Sequence, residues 1–309
     1  MHFNQLHINT PLMQSVALSQ YINGNVWLKI EAMQPSGSFK TRGIGLACRE
    51  YISNGAERLV TSSGGNAGLA VAYAGRKYGV KTTVVVPETT TQKAIELIQA
   101  EQAEVIVEGA SWDESHQYAC NLYKGESAYI HPFDDPLVWK GHATMIDEIA
   151  ELELTPDAVV LSVGGGGLLC GVLEGLHRHG WTDVPVIAVE TEGADSLRQA
   201  VLADKLVSLA AIESIATTLG AKRVTQTALD WTKKHKVINH VVSDLKAVEA
   251  CAKFVDHHRI LVEPACGASL SAIYQPIESL QDKRDILVVV CGGVGVSMKQ
   301  LQKWLQELS

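Results

Sequence analysis

Lys40 stands in the run Pro35-Ser36-Gly37-Ser38-Phe39-Lys40-Thr41-Arg42-Gly43. Three glycine-rich turns follow it: Ser62-Ser63-Gly64-Gly65-Asn66-Ala67-Gly68, Gly164-Gly165-Gly166-Gly167-Leu168, and Cys291-Gly292-Gly293-Val294-Gly295. A lysine amine that burial has stripped of its proton can form an imine with an aldehyde. Glycine turns that open helices can wrap a phosphate or carboxylate in backbone N–H groups. Taken singly, a lysine opening a helix is most often a solvated surface cation. Together, the lysine and the loops suit a cofactor held by both a covalent amine and a phosphate cradle. Pyridoxal 5'-phosphate (PLP) is such a cofactor.

Two competing motifs fail on spacing. Gly37-Ser38-Phe39-Lys40-Thr41 is superficially like a P-loop, but Phe39 occupies the place of the glycine that must precede the lysine. The tetraglycine stretch at 164–167 fits G-x-G-x-x-G in no register, which weakens a nicotinamide or flavin reading. A strand-to-helix turn alone explains one or two glycines, not four, so the phosphate role is the better reading. Ser62 to Gly68 offers a hydroxyl, an amide and unobstructed N–H groups suited to a carboxylate, although helix capping by Ser or Asn would look the same. Cys291 and Glu190 each end an apolar strand, where a cysteine is usually a small hydrophobe. His142, His240 and the pair His257-His258 have no ligand spacing and read as structural or surface residues.

These residues need a scaffold. Short β-branched runs alternate with helical stretches: strands at Arg58–Thr61, Thr82–Val86 and Glu104–Glu108, helices at Asn66–Tyr78 and Gln92–Glu101. Further strands are expected at Ala158–Val163, Pro185–Glu190 and Asp285–Val290. Continuous apolar strands of this kind predict parallel βαβ units buried on both faces. All three glycine turns follow directly on a strand, at the carboxyl edge where such sheets bind ligands. The turn-rich His131–Pro136 suggests a division into residues 1–39 with 135–309, and 40–134.

Composition sets outer bounds. A chain of 309 residues can form two compact domains with well-buried cores. A formal net charge of −8 argues against nucleic acid or anionic membrane as the main partner. The N-terminus carries no positive region followed by a long apolar stretch, and no segment offers the roughly 20 apolar residues of a membrane helix. Cys48, Cys120, Cys170, Cys251, Cys266 and Cys291 form no CxxC pair and read as thiols in a reducing cytoplasm.

The order and spacing of the four motifs closely resemble the fold-type II PLP enzymes, and among them the L-serine/L-threonine dehydratases. His131-Pro132-Phe133-Asp134, Val189-Glu190-Thr191, Thr218-Leu219-Gly220 and Val262–Ala268 extend the resemblance over almost the whole chain. It implies an α/β fold of the tryptophan synthase β type: two open, twisted, parallel-rich sheets flanked by helices, with the cofactor in the cleft between domains. It further implies that Lys40 holds PLP as a Schiff base and serves as the Cα-proton base, with Ser63 beside it in the catalytic set. Phe39 would pack on the ring and Asn66 would bond its 3'-oxygen. Gly164, Gly165, Gly166, Gly167 and Leu168 would cradle the phosphate, and Cys291 would face the pyridine nitrogen. Ser63, Gly64, Asn66 and Ala67 would bind the substrate carboxylate. A thiol holds the ring nitrogen as a pyridinium less well than an aspartate does, which weakens the electron sink and favours prompt β-elimination.

The implied reaction converts L-serine to pyruvate and ammonia, or L-threonine to 2-oxobutyrate, in a homodimer. A monovalent cation such as K+ is implied at Gly164, Glu190, Ala194, Leu219 and Ala221, an oxygen-only shell of the kind hard cations prefer. Racemases of this fold carry a serine where Gly64 stands, and cysteine-synthase-like enzymes place threonines in the phosphate loop. Racemisation, β-replacement and non-catalytic metabolite binding are therefore the competing readings.

Overall fold

The computed structural model describes residues 4–122 and 125–309. In chain order, β1 (Leu12–Gln14), α1 (Val16–Ser19) and β2 (Asn25–Ile30) come first. Next are α2 (Lys40–Ser53), β3 (Arg58–Thr61), α3 (Asn66–Tyr78), β4 (Lys81–Val86), α4 (Gln92–Ala100), β5 (Glu104–Val107), α5 (Trp112–Asn121) and β6 (Ser127–Tyr129). Helix α6 (Pro136–Ala150) leads to β7 (Ala158–Ser162), α7 (Gly167–Arg178), β8 (Val186–Thr191) and α8 (Ser196–Ala203). The chain closes with α9 (Gln226–Lys234), β9 (Val237–Val242), α10 (Asp244–His258), α11 (Pro264–Tyr274), β10 (Asp285–Val290) and α12 (Met298–Leu308).

Two compact units form. The smaller takes the described residues up to Ile8 together with Gln34–His142, and the larger takes Asn9–Met33 with Ala143–Ser309. Boundaries at 39 and 135, expected from the turn-rich segment, are therefore displaced, and the residues up to Ile8 change sides. Hydrogen bonds explain the first shift: Gln34 Oε1 accepts from the Ile8 N–H at 3.0 Å and its Nε2 donates to the Ile8 carbonyl at 3.0 Å. Glycine explains the second. A Cβ on Gly141 would lie 2.6 Å from the Arg42 carbonyl oxygen and from the Gly43 Cα, so the first turns of α6 pack on α2 rather than ending the unit at the loop before them.

The smaller unit carries a wholly parallel sheet in the order β5-β4-β3-β6. On one face Ile44, Ala47, Leu59, Ala70, Val71, Ala74 and Ile130 form a core between α2, α3 and the strands. The alanines keep α3 thin enough to lie flat on the sheet. On the other face Val60 and Val85 pack against Ala119 of α5, with Tyr129 at the margin. The larger unit has a six-stranded sheet in the order β1-β2-β10-β7-β8-β9, parallel except for the antiparallel edge pair β1–β2. Strands β7 and β8 are buried along their whole length, and β10 is buried beyond Asp285, as helices on both faces of a parallel sheet require.

Candidate active site

The smaller unit supplies the amine. Lys40 is the first residue of α2, half-buried, and its Nζ donates to the Pro132 carbonyl at 2.6 Å. That nitrogen lies 5.1 Å from the centroid of the Phe39 ring. Phe39 in turn packs on His142, with ring centroids 4.8 Å apart. His142 Nδ1 accepts the Gly43 N–H at 3.2 Å, so an imidazole ties down the first turn of the lysine's helix. Only glycine fits at 43, since a Cβ there would lie 2.2 Å from the Val138 carbonyl oxygen. Complete burial, with Lys40 and Arg42 nearby, pushes the pKa of His142 well down; the ring is neutral and carries its proton on Nε2. His131 is neutral too. Burial, His116 and Lys40 push it down to about 3, and its Nδ1 accepts the Asp134 N–H at 2.8 Å.

The same unit supplies the carboxylate candidate. The turn Ser62–Gly65 joins the carboxyl end of β3 to α3, whose first residue is Asn66 and whose start no side chain caps. Ser63, Gly64, Asn66 and Ala67 thus share one turn at a helix N-terminus, the positive end of the helix dipole, which favours an anion. Ser63 Oγ accepts from the Gly65 N–H at 3.3 Å, which folds the hydroxyl back over the turn. A Cβ on Gly64 would fall 2.6 Å from Thr90 Cγ2. Ser62, fully buried, meets the Tyr129 hydroxyl at 2.6 Å.

The larger unit supplies the phosphate candidate and the thiol. Gly164–Gly166 run from β7 into α7, a twelve-residue helix whose N-cap, Gly166, has φ +94° and provides no side-chain cap. A Cβ on Gly166 would also lie 2.6 Å from the Ala228 Cβ. The start of α7 is thus a glycine-walled turn at a helix N-terminus, a kind of position that favours an anion, with Leu168 in its first turn. Cys291 follows β10 and is buried. A hydrogen bond with Cys266, burial and the nearby Glu263 push its thiol pKa well up, so it stays protonated. Glu263, a residue to which the sequence assigned no role, accepts from Thr218 Oγ1 at 2.6 Å and lies hard against Gly293.

The cation candidates meet in part. Gly164 lies against Leu219, with a Cβ position 3.1 Å from the Leu219 carbonyl oxygen, and the Ala221 N–H donates to that carbonyl at 2.7 Å. Glu190, fully buried, accepts from the Leu197 and Arg198 N–H groups at 2.8 and 2.9 Å, while Ala194 N–H donates to Thr191. Burial pushes the Glu190 carboxyl up to about 8, partly offset by those two N–H groups. Among the described residues no group of three or more His, Cys, Asp or Glu could hold a metal. Any cation here would rest on carbonyls plus the one carboxylate. Taken unit by unit, the smaller offers an amine at a helix start, and the larger a protonated thiol and an uncapped, glycine-walled helix start, groups whose chemistry suits a phosphorylated pyridine aldehyde.

A family model described as "Pyridoxal-phosphate dependent enzyme" matches residues 3–292. The chain is 48% identical to a human L-serine dehydratase/L-threonine deaminase, over 98% of this chain and 96% of that protein. It is 45% identical to a Dictyostelium discoideum L-serine dehydratase, over 98% of this chain and 93% of the relative. Among solved structures, a fungal L-serine ammonia-lyase from Rhizomucor miehei superposes with a TM-score of 0.94 at 35% identity, covering 99% of this chain and 100% of that one.

Proposed function

The chain belongs to the pyridoxal-phosphate dependent enzyme family, and from that premise we propose how its residues divide the work of a lyase. The protein is an L-serine/L-threonine ammonia-lyase of fold type II, converting L-serine to pyruvate and ammonia and L-threonine to 2-oxobutyrate and ammonia. Near-full-length identity of 45–48% to serine dehydratases is the observation that carries this reading.

When bound, PLP supplies an electron sink for the charge that develops at the amino acid's Cα. Lys40 is the amine that attaches the cofactor and afterwards the base that takes the Cα proton on Nζ. Its place at the first position of α2, against Phe39, aims that nitrogen without a loop's freedom. The turn Ser63, Gly64, Asn66 and Ala67 would orient the substrate carboxylate, and Asn66 would also help hold the cofactor through its ring oxygen. Gly164–Gly167 and Leu168 hold the phosphate through N–H groups at the start of α7. Cys291, whose thiol the hydrogen bond with Cys266 and burial keep protonated, would be the group offered to the cofactor's ring nitrogen, and a neutral thiol would not hold that nitrogen as a full pyridinium. Elimination is thereby favoured over racemisation, and Gly64 adds to this because it offers no acid at the opposite face of Cα. A monovalent cation such as K+ would be held by Glu190 together with the carbonyls of Gly164, Ala194, Leu219 and Ala221. The enzyme acts in the cytoplasm as a homodimer, a location consistent with six free thiols.

The deciding experiment measures 2-oxo acid and ammonia from L-serine and from L-threonine, with PLP, in KCl and in NaCl. Stoichiometric release, faster in KCl, is expected. A yellow, cofactor-loaded protein that releases neither product but inverts or exchanges the Cα proton would move the function to racemisation or β-replacement.

A further inference from the structure

Tyr129 ends β6 and pairs in register with Val60 of β3. Side chains two positions apart on a strand share a face, so Ser62, two residues beyond Val60, rises on the same side as Tyr129. The two hydroxyls meet at 2.6 Å, and the Tyr129 hydroxyl continues to His116 Nδ1 at 2.7 Å. His116 is carried by α5, which packs on this face of the sheet, and it stacks on Trp112 with ring centroids 5.0 Å apart. Cys120 lies 3.7 Å from the same imidazole nitrogen. Tyrosine has one proton to give. With His116 accepting at Nδ1, Tyr129 donates to it and Ser62 donates to Tyr129.

The β3–β6 ladder does not need this chain of hydroxyls. Ile130 N–H already donates to the Val60 carbonyl at 2.7 Å, and Thr61 Oγ1 to the Ile130 carbonyl at 2.8 Å. What the hydroxyls hold is Ser62, the residue that opens the turn before α3. The geometry points to Tyr129 and His116 as positioning residues, which fix the turn from Ser63 to Asn66 through Ser62 Oγ and so set the affinity for the substrate carboxylate. This role rests on the reading of that turn as the carboxylate site.

Removing only the hydroxyl, in Tyr129→Phe, leaves the ring in the core and Ser62 Oγ without its partner. One buried hydrogen bond corresponds to roughly a five- to tenfold rise in KM for L-serine, with kcat changed by about twofold or less. Ser62→Ala is expected to give the same rise, and the double variant no more than either alone. Tyr118→Phe, an exposed hydroxyl on the same helix, serves as control. A second readout needs neither cofactor nor turnover: amide hydrogen exchange across residues 63–66 should quicken roughly tenfold in Tyr129→Phe. If Ser63→Ala raises KM while Tyr129→Phe and Ser62→Ala leave both KM and exchange unchanged, the positioning role is wrong and the carboxylate reading survives. If Ser63→Ala leaves KM unchanged, the carboxylate reading falls and takes this role with it. A fall in kcat at constant KM in Tyr129→Phe would also overturn it. Should Tyr129→Phe fail to fold, Ser62→Ala decides alone.

Discussion

At the scale of single residues, the chemistry turns on which groups keep their protons. If Lys40 is the attachment amine and the Cα base, as proposed, Lys40→Ala removes both and turnover should fall by at least roughly a thousandfold. Steady-state release of 2-oxo acid checks this, and substantial activity in the variant would exclude Lys40 as the base. His131 makes a prediction about pH. Its folded pKa of about 3 lies below the ordinary 6.5, so between those values the unfolded chain takes up a proton that the folded chain refuses. Stability is therefore lost as pH falls below about 6.5. Asparagine at 131 keeps an acceptor for the Asp134 N–H but does not titrate. Calorimetry between pH 7 and pH 5 should show a smaller drop in melting temperature for His131→Asn than for the unaltered protein. Equal drops would mean that His131 takes up its proton in the folded state.

At the scale of elements, the turn proposed to hold the phosphate depends on one backbone conformation. Gly166→Ala must hold a side chain at φ +94° and 2.6 Å from the Ala228 Cβ, a strain of about 1–3 kcal/mol. The loop should answer by turning its N–H groups away. Titration followed by visible absorbance is expected to show PLP affinity reduced at least roughly tenfold, with the unloaded protein only slightly less stable; unchanged affinity would remove the loop from the phosphate. Elements of this kind were legible in the sequence because their signals are local. Arg58–Thr61, Asn66–Tyr78 and Asp285–Val290 match the expected bounds residue for residue, each being a continuous apolar or small-residue run stopped by glycine or a turn. Strands β1, β2, β6 and β9 escaped notice. β1 and β6 are three residues long, β2 sets Asn25 and Lys29 among its apolar residues, and β9 alternates around Asn239 and His240 with hardly a buried position. The candidate site, whose roles rest on the proposal above, shows the same split. Lys40, Asn66 and the tetraglycine announce themselves by type and spacing. His142, Tyr129 and Glu263 do not, because their roles come from partners 99, 67 and 45 residues away in the chain.

At the scale of the whole molecule, a ligand that binds only the folded state must stabilise it. A hundredfold excess of PLP over its dissociation constant adds about 2.7 kcal/mol. For a protein of this size that is roughly 4 °C in melting temperature. Scanning calorimetry of the stripped and reloaded enzyme should show that rise, and an unchanged melt would mean the cofactor is not held by the native fold. The path of the chain also has a consequence for synthesis on the ribosome. Strand β2 ends at Ile30, yet its central partner, β10, begins at Asp285. A nascent chain emerging at 5–20 residues per second leaves β2 waiting on the order of 10–50 s for that neighbour. Everything from Gln34 to His142 emerges in the interval, so the smaller unit can finish its sheet while the larger one still has a gap in its middle. The inserted unit can be complete early, and the other closes its sheet only once Asp285–Val290 has emerged.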